Sequence, residues 1–238
     1  ITSLLAAAKT IKKNRSIRCV ILRGNGPSFC AGLDFGYVAR HPMMVPKFFA
    51  KLPWRKDNTF QRVAHVWRDL AIPVIAAVHG NCFGGGTQII LACDYRIATS
   101  DAQLSILEMK WGLIPDMSGM VTLSRLTRVD IAQELTMTGR FFSGAEGAEY
   151  GLISRTSEVP LQDALTLANT ICEKSPDAVA AAKYLFIKTW KKDVRSALFW
   201  ERITQLRLFA GKNQKIAMKN GLSKDGPQLP FRDRSSFR

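Results

Sequence analysis

Three consecutive glycines, Gly84, Gly85 and Gly86, stand where one apolar run ends and another begins. Residues 72–78, IPVIAAV, read as a buried strand, and residues 87–93, TQIILAC, as a buried helix. Glycine at a strand-to-helix turn lets backbone approach a ligand closely. It also leaves unpaired N–H groups at the positive end of the helix. Such a place holds negative charge on oxygen, either a phosphate or an oxyanion that develops during reaction. The phosphate patterns fail in detail. A Walker-type loop needs Lys and Ser or Thr after its last glycine, and here Thr87 and Gln88 follow. The G-x-G-x-x-G dinucleotide pattern is absent. Taken alone, the triplet also suits a tight turn beneath a closely packed helix.

The surrounding segments separate these readings. Residues 78–116, VHGNCFGGGTQIILACDYRIATSDAQLSILEMKWGLIPD, resemble the core of the crotonase superfamily, the enoyl-CoA hydratases and isomerases. Residues 17–35, IRCVILRGNGPSFCAGLDF, resemble that family's first oxyanion-hole segment. Residues 135–154, LTMTGRFFSGAEGAEYGLIS, resemble its helix–turn–helix signature. The three stretches come in the family's order, and the resemblance covers roughly residues 16–190.

The resemblance implies an acyl-CoA thioester substrate. Loss of an α- or γ-proton places negative charge on the thioester oxygen, and two backbone N–H groups stabilise that enolate. By the resemblance these belong to Leu33 and Gly85, with the Leu33 side chain facing the acyl group. Ala31, Gly32, Asp34, Gly84 and Gln88 complete the implied substrate-binding set, Asp34 with a loop-fixing role. Family hydratases carry Glu two positions after the triplet. Gln88 stands there instead; it cannot titrate and can only orient a water or substrate by hydrogen bonding. The second family Glu is matched by Glu108, in Ile106-Leu107-Glu108. Eight residues on lies Asp116, where hydratases usually carry Gly and family isomerases, including some dienoyl-CoA and 3,2-enoyl-CoA isomerases, carry an acid. Both departures point to double-bond migration. Either acid alone would pass for a solvated or Arg-paired loop residue. As a pair among Met109, Trp111, Leu113 and Ile114, their pKa values can be pushed apart, as an acid and a base require. The alternative is a hydratase that uses Glu108 with a water held by Gln88; thioester hydrolysis and dehalogenation also occur in the family.

The remaining residues bound the partners. A chain of 238 residues, 47% hydrophobic, makes one domain with at most a small appendage. The net charge of +15 suits a polyanionic partner, and coenzyme A brings several phosphate charges. It also motivates RNA binding, known for at least one crotonase relative, although no aromatic-and-basic RNA motif is present. No cofactor is implied, since coenzyme A arrives as part of the substrate, and no metal is needed. His41, His65 and His79 are scattered without metal-ligand spacing. Five cysteines without a CxxC read as buried free thiols, Cys30 included, in a reducing, cytoplasmic compartment. No apolar run approaches a membrane span.

The elements that must position these groups alternate between strand and helix early and become helical late. Strands are expected at 17–23, 72–78, 95–98, 104–106 and 152–157. Helices are expected at 60–70, 116–126, 129–137, 160–174, 176–190 and 193–209, with Ser143 and Glu146 forming a capping box. Residues 36–58 lack a period and read as a mobile lid or short helices. The tail after Gly221 reads as extended. The family fold is an α/β crotonase (ClpP-like) spiral of stacked ββα turns with a helical C-terminal extension, here divided as 1–190 and 191–238. The family's first strands are missing before residue 1, so the N-terminus reads as incomplete. Members form homo-trimers, often paired into hexamers.

Overall fold

The computed structural model describes residues 1–223 and 227–236. Its elements are, in chain order, α1 (Thr2–Lys13), β1 (Val20–Arg23), α2 (Phe35–Arg40), α3 (Met44–Phe49), α4 (Thr59–Asp69), β2 (Val74–Val78), β3 (Asn81–Phe83), α5 (Gly85–Leu91), β4 (Tyr95–Ala98) and β5 (Gln103–Ser105). A 3-10 helix, Leu107–Trp111, follows, and then α6 (Gly119–Leu126), α7 (Val129–Thr138), β6 (Phe142–Ser143), α8 (Gly144–Glu149), β7 (Arg155–Thr156), α9 (Pro160–Cys172), α10 (Pro176–Thr189), α11 (Val194–Phe209) and α12 (Lys212–Leu222). The chain divides into two compact units. One comprises Ile1–Lys9, Ile21–Asp69 and Val74–Leu165; the other comprises Thr10–Val20, Leu70–Pro73 and Thr166–Arg238. By compactness the late break falls after Leu165, earlier than the division at residue 190 that the resemblance implies.

The first unit is built on two sheets. One has the order β1-β2-β4-β7, with β2 parallel to β4 and β4 parallel to β7; the other has the order β3-β5-β6. All five residues of β2 are buried, which is why its sequence is a continuous apolar run and does not alternate. The second sheet runs β3 parallel to β5, with β6 antiparallel at its edge. Of the strand expected at 152–157, only Arg155 and Thr156 pair. Leu152 and Ile153 both donate their N–H to Gly147 O, at 2.8 Å each, so the chain closes α8 before it can enter the sheet.

The capping box at Ser143 is present. Ser143 Oγ accepts from the Glu146 N–H at 3.0 Å, and Glu146 Oε2 accepts from the Ser143 N–H at 2.9 Å. Ser143→Ala should lower stability by about 1 kcal/mol, read as a lower denaturant midpoint at an unchanged slope.

In the second unit, Ser175 caps α10 and Pro176 takes its first position. Asp177 is buried and accepts from Asn213 Nδ2, the Ser235 N–H and Ser235 Oγ, fastening the tail to α10. The tail is therefore tied down at Asp177. Gly221 and Leu222 still belong to α12, Ser223 caps it with extended backbone, residues 227–236 form neither helix nor strand, and residues 224–226 and 237–238 lie outside the described residues. In the sequence, Ala197, Trp200, Ile203, Leu206 and Phe209 read as the apolar set of α11. Leu206 and Phe209 are exposed, and Thr204 is the buried residue of this helix. A strict three-residue spacing drifts around a helix of 3.6 residues per turn, so by its third step, at Leu206, the stripe has left the packed face.

Candidate active site

The glycine triplet is held down by its neighbours. Thr87 Oγ1 donates to Cys82 O at 2.6 Å and approaches Ser105 O at 3.0 Å, while the Gly84 N–H donates to Ser105 O at 2.9 Å. These bonds fix the start of α5 over β3 and β5. Gly84 has φ +51°, a conformation that suits glycine, and a Cβ there would stand 3.3 Å from Glu108 Oε1. The triplet thus brings backbone against a carboxylate.

The segment 30–34 comes to the same place. Cys30 bridges to Cys82, exchanging bonds with Asn81 O and the Phe83 N–H. A Cβ on Gly86 would lie 2.6 Å from Cys30 Cβ, so the thiol side chain packs directly on the triplet. Gly32 then turns the chain with φ +99°, and Asp34 Oδ1 caps α2 by accepting from the Tyr37 N–H at 2.8 Å. Among the described residues the N–H groups of Leu33 and Gly85 donate to no other group.

Both N–H-bearing residues line one cavity of about 430 Å³. Ala31, Gly32, Gly84, Glu108 and Asp116 stand on the same wall system. Asp34 and Gln88 do not. Asp34 is spent on the α2 cap, and Gln88 lies behind the wall with only 1% of its surface exposed. Gln88 Nε2 donates to Glu108 Oε1 at 2.7 Å, and Gln88 Oε1 accepts from the N–H groups of Met117 and Gly119 at 2.8 and 3.0 Å. It therefore touches the carboxylate where the sequence reading had it touching substrate or water.

The rest of the cavity is apolar. Val38, Val45 and Phe49 come from the short helices α2 and α3, where the lid was expected. Phe60 comes from α4 and also meets Phe48 edge-on and Phe49 at a tilt. Trp111, Leu113 and Ile114 supply the opposite side as expected. Met117 was not foreseen. A Cβ on Gly85 would lie 2.8 Å from its sulfur, so it packs on the middle glycine.

In these surroundings the two carboxyls hold their protons more tightly than usual. Burial pushes the Glu108 pKa up, the negative charge of Asp116 adds to the rise, and the Gln88 N–H partly offsets it. Burial also pushes Asp116 up. Glu108 Oε2 is shielded from solvent and has no hydrogen-bond partner among the described residues. Both carboxyls are thus raised by burial, but their surroundings differ: Glu108 is held by the Gln88 N–H and feels the charge of Asp116, while Asp116 has no side-chain partner among the causes of its shift.

Two unpaired amides and two carboxyls thus line one apolar cavity. The enoyl-CoA hydratase/isomerase family model matches residues 1–228. The chain is 34% identical over 206 residues to the mitochondrial Delta(3,5)-Delta(2,4)-dienoyl-CoA isomerase of Rattus norvegicus, which covers 82% of this chain and 62% of that protein. It is 30% identical over 219 residues to the mitochondrial methylglutaconyl-CoA hydratase of Mus musculus, covering 89% of this chain and 67% of that one. The crystal structure of an enoyl-CoA hydratase from Bacillus anthracis superposes with a TM-score of 0.84 at 29% identity, covering 97% of this chain and 87% of that one. The chain belongs to the enoyl-CoA hydratase/isomerase family and has the crotonase fold. It spans less than two thirds of the length of the rat isomerase.

Proposed function

We propose that this chain moves a double bond in an enoyl- or dienoyl-CoA. The observation that carries the reading is the cavity's charge inventory: Glu108 and Asp116, both pushed up in pKa by burial, are its titratable lining groups among the described residues, and the acid that hydratases carry after the triplet is replaced by Gln88. Ionised Asp116 takes a proton from carbon 2 of a 3-enoyl thioester. The C–H electron pair moves into the enolate, whose oxygen lies against the Leu33 and Gly85 N–H groups. Glu108 gives its proton to carbon 4 of a 3-enoyl chain, or to carbon 6 of a 3,5-dienoyl chain, as the electrons return, leaving a double bond between carbons 2 and 3. One C–H bond breaks and one forms, and the proton on Asp116 passes back to Glu108 to reset the pair. Coenzyme A's phosphates account for part of the +15 charge, with the rest solvating.

The hydratase alternative is favoured by relatives named hydratase. It needs Gln88 to hold a water in the cavity, and the Gln88 amide is already engaged with Glu108, Met117 and Gly119.

The same inventory bears on the acyl group. Among the described residues no Lys, Arg or His lines the cavity. A second carboxylate on the acyl chain would be desolvated beside two acids with no cation to pair it, at a cost of several kcal/mol. The acyl group is therefore a neutral hydrocarbon, unlike a methylglutaconyl group. Purified protein given a 3,5-dienoyl-CoA should yield the conjugated 2,4-dienoyl-CoA, followed by absorbance. An acyl-CoA with a terminal carboxylate should bind at least about 100-fold more weakly, on the order of 3 kcal/mol. Recovery of both a 3,5-dienoyl-CoA and a 3-enoyl-CoA unchanged would overturn the isomerase, and equal binding would overturn the neutral acyl group.

Self-association as a trimer or hexamer is supported by the exposed Phe186, Trp190, Leu198, Leu206 and Phe209 of α10 and α11. A reducing compartment is supported by five free cysteines. No helix among the described residues is long and apolar enough to cross a membrane.

A further inference from the structure

Gln88 stands where the family's hydratases carry a working acid, yet it makes three short hydrogen bonds and faces no solvent. Its amide cannot be turned round. Oε1 accepts from two backbone N–H groups, those of Met117 and Gly119, and a reversed amide would set its NH2 group against both. The NH2 group is thereby forced towards Glu108 Oε1. The two N–H groups flank Ser118, which has φ +65° and is the one described non-glycine residue with positive φ. That strained turn follows Asp116 directly. One buried side chain thus ties down one carboxyl and the turn that carries the other.

We infer that Gln88 is a positioning residue that decides which oxygen of Glu108 carries the transferred proton. A protonated carboxyl bears its O–H on one oxygen, and the other, carbonyl-like oxygen is the better acceptor. Gln88 occupies Oε1 as that acceptor. The proton is left to Oε2, which is shielded from solvent and has no hydrogen-bond partner among the described residues, on a side chain that lines the cavity. In the forward reaction the Oε2–H bond breaks as the new C–H bond forms, and the carboxylate left behind keeps the Gln88 N–H on Oε1. The inference rests on the isomerase reading for the direction of the proton, but the link between Gln88 and Glu108 stands apart from it.

The charged group that acts on Glu108 is Asp116, on the turn after the 3-10 helix; α5 presents Gln88, and the apolar wall presents no charge among the described residues. Activity needs Asp116 ionised and Glu108 protonated, so it rises with pH through the first titration and falls through the second. Gln88 favours the ionised form of Glu108. Removing its N–H raises the Glu108 pKa further, and the alkaline limb must move to higher pH.

Gln88→Met keeps length and loses every polar atom. Gln88→Glu keeps an acceptor for Met117 and Gly119, so it holds the turn, but sets a second carboxyl against Oε1. In both, the alkaline limb of kcat/KM should move up by about one pH unit, as expected for loss of a hydrogen bond to a charged group. Titration of carbon-13-labelled Glu108 by NMR should show the same rise without any turnover. If the protein is not an isomerase, this titration still reports on Gln88, so the two failures are distinguishable. A lower kcat in both variants with neither limb nor NMR titration moved would reduce Gln88 to a packing residue and overturn the inference.

Discussion

Asp116→Asn is expected to lower isomerase kcat/KM by about 100- to 10,000-fold, the usual contribution of a positioned general base. The substitution keeps the shape of the side chain and removes the group that takes the proton. It should not unfold the protein. The folded-state pKa of Asp116 lies above its ordinary value because of burial, so ionising it costs stability at any pH above that pKa. An amide at this place carries no such cost, and the thermal midpoint should stay the same or rise slightly. A large loss of activity with no loss of stability separates a catalytic role from a structural one.

A comparable loss is expected from a change that deletes one N–H and little else. Gly85 is the first residue of α5, a position where proline is well tolerated because its missing N–H has no helical partner. Gly85→Pro removes the proposed oxyanion donor. Gly85→Ala keeps the donor and is the control. Either variant puts a Cβ 2.8 Å from the Met117 sulfur, the mobile end of a flexible side chain, so both press the same neighbour. The activity of the alanine variant should exceed that of the proline variant by about 100- to 1,000-fold, the value of one such donor. Equal activities would remove Gly85 from the oxyanion hole.

Much of this site was legible because its parts are local. The triplet, the segment 31–34 and the pair Glu108 and Asp116 announce themselves by residue type and spacing, and all but Asp34 and Gly86 line the cavity. The buried strand β2 was legible for the same reason, since a run apolar at every position has no face to give water. What stayed hidden depends on distant partners. Gln88 read as a substrate contact because its neighbours, Glu108, Met117 and Gly119, lie 20 to 31 residues away along the chain. The apolar wall from Val38, Val45 and Phe49 comes from a segment with no period, whose two six-residue helices are too short to print one. On α11 the error lay in the period itself. Counting in threes put Leu206 and Phe209 inside, while the helix turns Thr204 there.

The central claim is that the carboxyl pair transfers a proton from one carbon of the acyl chain to another and does not add water. The most direct measurement offers a 2-enoyl-CoA and a 3-enoyl-CoA separately to the purified protein and to its Asp116→Asn variant. The account predicts rapid conversion of the 3-enoyl thioester, slow hydration of the 2-enoyl thioester, and loss of the first activity in the variant. Fast hydration of the 2-enoyl thioester, unchanged by Asp116→Asn, would contradict it.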